Sequence, residues 1–224
     1  MTPRLEAQNL HFSFGETHAL KGVDVHLMPG EVLAVMGPSG SGKSTLLHCL
    51  AGILSPTKGE VFFDGKRVDN LKSAKRDQVR LRNFGFVFQF GDLIPELTLL
   101  ENVALPMLVQ GVSKKSAYAR ATDLMDSLEI SDVANRTASA VSGGQSQRAA
   151  VARALSTKPA VIFADEPTGA LDSVTGELVL EALISIARKD NASVVLVTHA
   201  IEVAAISDRE IIIRDGLVVS NSRV

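Results

Sequence analysis

Gly37-Pro38-Ser39-Gly40-Ser41-Gly42-Lys43-Ser44-Thr45 follows the apolar run Val32-Leu33-Ala34-Val35-Met36 without a break. A run of that length bounded by glycine reads as a strand buried on both faces. The leucine-rich residues from about Ser44 to Leu54 read as the helix that leaves the loop. The loop itself fits G-x-x-x-x-G-K-[ST] in full. A phosphate chain carries several negative charges and needs many N–H donors at close range, where side chains would obstruct. Gly40 and Gly42 let the backbone approach. The helix start adds unpaired N–H groups and the positive end of its dipole. Lys43 brings a point charge to the outer phosphates, and the Ser44 hydroxyl is placed for Mg²⁺.

Three further strand ends carry polar residues that suit the same chemistry. Asp165 closes Val161-Ile162-Phe163-Ala164, where a carboxylate can organise a magnesium ion, and Glu166 beside it can accept a hydrogen bond from an attacking water. Gln89 closes Phe84–Phe88, where its amide oxygen can reach the metal and its nitrogen the water. His199 closes Ser193–Thr198, within reach of a γ-phosphate. Taken singly these are ordinary strand-end residues. Their shared placement matters, because open α/β sheets bind ligands at the carboxyl ends of their strands.

Around these positions the chain alternates buried strands and helices, which implies a parallel α/β sheet. Val23, Val25 and Leu27 alternate with Asp24 and His26 as in a half-buried strand. Asp64-Gly65 and Asp215-Gly216 are hairpin turns. The middle third is helical and punctuated by Pro95 and Pro106, and it reads as an inserted subdomain. Ala117, Ala121, Leu124, Met125 and Leu128 form one apolar stripe there. Later, Val174–Arg188 reads as a helix with Val179, Leu183, Ile186 and Ala187 on its buried face.

The 224 residues suffice for one large domain burying roughly 70–75% of its unfolded surface. A net charge of −2 gives no basic excess that would point to nucleic acid. The single cysteine, Cys49, rules out an internal disulfide and reads as packed in its apolar helix. MTPRLEAQNL lacks the apolar stretch of a secretory signal, and no run of ~18 apolar residues could span a bilayer. The expectation is a cytoplasmic chain anchored, if it works at a membrane, by something else.

Ser142-Gly143-Gly144-Gln145 opens an alanine-rich helix to about Ser156. Ser142 and Gln145 have the spacing of a capping box. The two glycines are poor residues for a helix start, and a second phosphate-facing helix N-terminus explains them. One phosphate cannot readily occupy two helix starts of one chain. A head-to-tail dimer resolves this, with each phosphate chain held between Lys43 of one copy and Ser142 of the other.

With these motifs in this order, the sequence resembles the nucleotide-binding subunit of ABC transporters over nearly its whole length. GPSGSGKST at 37–45 matches the Walker A loop, Gln89 the Q-loop, VSGGQ at 141–145 the signature and VIFAD at 161–165 the Walker B strand. Glu166 matches the catalytic glutamate, Ala170-Leu171-Asp172 the D-loop and His199 the H-loop, while Phe14 falls at the aromatic that stacks on adenine. Val141 and Phe14 replace the commoner leucine and tyrosine, and stacking needs only a ring. The resemblance implies one P-loop NTPase domain over 1–224, with a mainly parallel RecA-like core, an antiparallel β subdomain and a helical subdomain at about 92–157. It also implies ATP and Mg²⁺ as ligands and a homodimer as the working form.

FVFQFGDLIPELTLLENVALPM at 86–107 and DEPTGALDS at 165–173 resemble the group serving lipoprotein release, macrolide and peptide-antibiotic efflux, haem export and cell division. That implies a permease partner of four transmembrane helices with a large extracytoplasmic domain, and a place on the cytoplasmic face of the membrane. The leucine-rich segment Phe90–Pro106 suits a groove for a partner's short helix and equally suits subdomain core. Two other readings share parts of this pattern. A cell-division regulator that moves no substrate has every motif above. A soluble ABC ATPase of DNA or ribosomes would show a coiled-coil insertion or a second cassette, and the single cassette with its short 89–142 interval disfavours it.

Overall fold

The computed structural model describes residues 2–89, 91–169 and 171–223. In chain order the elements are β1 (Leu5–Phe14), β2 (Thr17–Leu27), β3 (Val32–Met36), α1 (Lys43–Leu50), β4 (Lys58–Phe63), β5 (Lys66–Arg67), α2 (Ser73–Asn83) and β6 (Phe84–Val87). They continue with α3 (Leu99–Val109), α4 (Lys114–Ser127), α5 (Gly143–Leu155), β7 (Val161–Asp165), α6 (Ser173–Lys189), β8 (Ser193–Val197), α7 (Ile201–Ala204), β9 (Arg209–Arg214) and β10 (Leu217–Arg223). They fall into two compact units, Met1–Arg80 with Asn191–Val224, and Leu81–Asp190.

The first unit holds an antiparallel sheet in the order β2-β1-β4-β5. In its second sheet β3 lies parallel to both β8 and β9, and β10 returns antiparallel on β9. Val32–Val35 and all of β8 are buried, as continuous apolar strands of a parallel layer should be. Along β2 the predicted alternation holds, with Val23, Val25 and Leu27 buried and Asp24 and His26 exposed. Both predicted hairpin turns have two positive φ angles, 47° and 72° at Asp64-Gly65 and 51° and 79° at Asp215-Gly216. That sign pair fits the right-handed twist of the flanking strands. Helix α1 touches β1, β2 and β8. It stops at Leu50, short of the predicted Leu54, and Gly52 turns the chain at φ 66°. Cys49 is 1% exposed within it, and burial pushes its thiol up to about 12.

In the second unit β6 and β7 pair in parallel, with Val87 opposite Ala164. Phe163 is fully buried between Phe84 at 5.2 Å and Phe86 at 5.6 Å. Such a ring stabilises the fold by roughly 2–3 kcal/mol through area alone. Helix α5 is the unit's hub, in contact with α3, α4, α6 and β6. Its face of Ala149, Ala150, Ala152 and Ala154 lets neighbours come close, and a Cβ added at Gly85 of β6 would stand 2.4 Å from the Ala154 carbonyl oxygen. The stripe on α4 is buried as predicted. On α6 the buried face includes Ile184, with Ile186 half-buried.

Pro106, read as punctuation, lies inside α3. It removes one helical hydrogen bond. A capping box between Thr98 and Glu101 fixes the helix start, while buried Leu99, Val103, Ala104 and Met107 hold the helix against its neighbours. Asn102, fully buried in α3, gives Nδ2 to the carbonyls of Ile94 (3.0 Å) and Thr98 (3.0 Å) and takes the Ile94 N–H on Oδ1 at 2.8 Å. Truncation to alanine would strand those groups. Asn102→Ala is expected to lower stability by about 3 kcal/mol, read from the midpoint and slope of urea unfolding.

Candidate functional site

In the first unit the 37–45 loop joins β3 to α1, as predicted, and neighbouring backbone fixes its path. A Cβ at Gly37 would lie 2.1 Å from the Ile213 carbonyl oxygen, and one at Gly42 would lie 2.5 Å from that of Ala19. Gly42 caps α1 with φ 108°, outside the range that side-chain-bearing residues favour. The Gly216 N–H, in the β9–β10 turn, donates to the Ser41 carbonyl at 3.0 Å, and the Lys21 N–H donates to Gly216 at 2.9 Å. The turn therefore ties the loop to β2. Lys43 is 8% exposed, and its Nζ donates to the carbonyls of Gly37 (2.8 Å) and Pro38 (3.0 Å). Pro38, Ser39, Gly40 and Ser44 are exposed.

A groove of about 400 Å³ opens over this loop, lined by Lys43, Ser44 and Thr45 together with Phe14, Thr17 and His18. Phe14 ends β1, is 57% exposed, and meets Phe12 edge-on at 4.8 Å. The ring thus offers an open aromatic face at the groove. The groove wall also includes Lys21 and Asp215, which sequence reasoning passed over. In the sequence Asp215 is a turn residue, and nothing local marks which turn lies over a phosphate loop. His199 follows β8 and is exposed. The Thr198 N–H bonds the Val35 carbonyl at 3.2 Å, so His199 stands at the strand edge where the loop begins.

The second unit brings Gln89, Asp165 and Glu166 to one edge, the carboxyl ends of β6 and β7. Asp165 closes β7 and is half-buried. Glu166 takes φ 48°, a left-handed conformation uncommon for glutamate that breaks the strand there. The chain then folds back. A Cβ added at Gly169 would lie 2.8 Å from Gln89 Nε2, so the loop after β7 runs along the Gln89 side chain. Phe90 and Ala170, parts of the predicted partner groove and D-loop, lie outside the described residues. Asp172 caps α6 by accepting from the Thr175 N–H at 3.0 Å, and this bond holds its carboxyl below the usual range.

Helix α5 begins as predicted at Ser142. Its capping box is complete: the Ser142 hydroxyl accepts from the Gln145 N–H at 3.3 Å and Gln145 Oε1 accepts from the Ser142 N–H at 3.1 Å. Gly144 is crowded, since a Cβ there would meet Thr175 at 3.2 Å. Gly143 is not, for a Cβ would find nothing within 4 Å. The fold of this chain alone gives no steric reason for that second glycine.

A phosphate loop between a parallel strand and a helix, under a groove with an exposed aromatic rim, defines a nucleotide-binding P-loop protein. The family model for ABC transporters matches residues 20–169, and the chain belongs to that family. It is 43% identical to the lipoprotein-releasing system ATP-binding protein LolD of Aquifex aeolicus, over 98% of this chain and 97% of that one. It is 42% identical to the LolD of Porphyromonas gingivalis, over 96% and 99%. Among solved structures it resembles the dimeric ATP-binding cassette MJ0796 bound to ADP and Pi, with a TM-score of 0.90, 39% identity and 98% of both chains covered. The chain is thus an ATPase using ATP and Mg²⁺, and the ATP-binding motor subunit of a transporter. Lys43→Ala removes the buried ammonium and its bonds to the Gly37 and Pro38 carbonyls. ATP affinity is expected to fall about tenfold or more, measured by titration calorimetry.

Proposed function

We propose that two copies of this chain close head to tail around two ATP molecules and drive a separate membrane permease of the lipoprotein-releasing kind. The observation that carries the dimer is the start of α5. It has a capped serine, an N-terminal turn with free N–H groups, and at Gly143 open space that the chain itself does not use. A γ-phosphate from the second copy fits that description. The MJ0796 cassette is dimeric in its ADP and Pi complex, and the relatives named LolD belong to lipoprotein-releasing systems, which supports the reading of partner and load.

In this reading the backbone of Gly37, Pro38, Ser39, Gly40, Ser41 and Gly42, with Lys43 and Thr45, holds the phosphates, and Phe14 stacks on the adenine. Ser142, Gly143, Gly144 and Gln145 of the second copy face the γ-phosphate. Ser44, Gln89 and Asp165 would hold the magnesium ion; hydroxyl, amide and carboxylate oxygens are the hard donors it prefers beside phosphate. Bound there, it neutralises charge on the β- and γ-phosphates. Glu166 accepts a proton from the attacking water as its oxygen bonds to the γ-phosphorus. The bridge to ADP breaks, and His199 steadies the leaving phosphate. Loss of that phosphate removes the ligand shared by two half-sites, so the closed dimer is favoured only until the phosphate leaves.

No helix among the described residues is long and apolar enough to cross a membrane. In this reading the permease therefore holds the chain at the cytoplasmic face, with the helical part at about 92–157 toward it. Glu166→Gln is expected to keep ATP affinity while kcat drops at least about a hundredfold, and ATP should accumulate a dimer visible by light scattering. That variant, tagged and drawn from native membranes, should bring an integral membrane protein in stoichiometric amount; recovery without one would remove the permease reading. Ser142→Arg should leave the monomer folded and abolish the ATP-dependent dimer, checked by sedimentation with and without nucleotide.

A further inference from the structure

We infer that Gln147 is a positioning residue for ATP hydrolysis, holding the segments that carry Gln89 and Glu166 in fixed relation. It lies in α5, two residues beyond the capping-box Gln145, and is 3% exposed. Its Nε2 donates to the Phe88 carbonyl at 2.9 Å and to the Pro167 carbonyl at 2.7 Å. An amide nitrogen has two hydrogens, and both are used. Phe88 immediately precedes Gln89, and Pro167 immediately follows Glu166. One atom is therefore bonded to the neighbours of both residues.

The placement matters because of where the strands end. The β6–β7 register runs to Val87 opposite Ala164. Beyond that pair Glu166 turns left-handed and the two chain segments leave the sheet. Gln147 takes over the cross-strand link where the ladder stops. Arg153, further along α5, grips the other side of Gln89: Nη1 donates to the Asp92 carbonyl at 2.7 Å and Nη2 to the Gly91 carbonyl at 2.8 Å. The same helix thus holds the backbone both before and after Gln89. Its first turn is the end that meets the second copy's nucleotide in the reading above. Arrival of the second copy's γ-phosphate at Ser142 would be passed along the helix to Gln89 and Glu166, which handle the water at this copy's own ATP.

A buried glutamine could also serve stability alone, and the two roles separate experimentally. This inference rests on the assignment of Glu166, which Glu166→Gln tests on its own: wild-type turnover in that single variant would sink the assignment without reference to Gln147. Gln147→Glu keeps the shape and removes the N–H donors; Gln147→Met keeps the stem and removes the polar end. ATP turnover, ATP affinity and the urea midpoint would be measured for the full chain, both variants, and each variant combined with Glu166→Gln. Both single variants are expected to lose roughly ten- to a hundredfold in kcat through misplacement of the reacting groups, with affinity within about twofold of wild type because the 37–45 loop is untouched. In the Glu166→Gln background the further loss should be no more than about twofold, since residues acting as a unit are not additive. A kcat within about twofold of wild type in both variants would overturn the inference. So would an additive loss in the double variants, a parallel fall in affinity and urea midpoint, or failure of both variants to fold.

Discussion

A loop that must turn its amide hydrogens toward one volume needs something else to hold its back. Here the support is backbone on backbone. The carbonyls of Ile213 and Ala19 press where Gly37 and Gly42 have no side chains, and the turn at Asp215-Gly216 bonds to Ser41. The loop therefore depends on β2 and on the β9–β10 hairpin, elements distant in the chain. Their register sets how the loop sits, and the lysine inside it is left to bond carbonyls at Gly37 and Pro38. This also explains why β3 is central in its sheet, with parallel neighbours on each side: the strand that delivers the loop is the best anchored.

The second unit solves a different problem with a different material. Its catalytic candidates sit past the ends of two short strands, where sheet hydrogen bonding has ceased. Close packing of an alanine-rich helix substitutes for it. Small side chains on α5 let β6 approach to the limit set at Gly85, and polar side chains at chosen positions on the same helix reach carbonyls that the ladder no longer serves. The helix that presents the capped serine is thus also the helix that braces Gln89.

What could be read from the sequence was what has a local signature. The 37–45 loop, the strand runs at 32–36 and 161–165, the hairpin dipeptides and the capping box all carry their geometry in adjacent residues. Helix α2 is silent in the sequence because SAKRDQVRLRN has no apolar stripe; none of its 11 residues is buried. The bounds of β1 are hidden in the sequence because irregular register at Ala7/Leu10 and Phe12/Ser13 spoils its alternation. Pro106 misled because a proline's local cost is visible in sequence and the tertiary packing that absorbs it is not. Gln147 and Asp215 stayed hidden for a related reason: a glutamine on a helix and an aspartate in a turn acquire meaning only from a carbonyl or a groove brought to them by the fold.

Cys49 gives the molecule a property of practical use. The chain's one thiol is 1% exposed in the helix behind the phosphate loop, with its ionisation pushed up to about 12. Thiolate is the reactive species, so alkylating and spin-labelling reagents will find almost nothing to attack in the native chain. A cysteine introduced on any exposed face would then carry its probe alone, against a silent background. Labelling of Cys49 itself would count the moments when α1 comes away from its strands, an internal clock for opening of the nucleotide site's own floor.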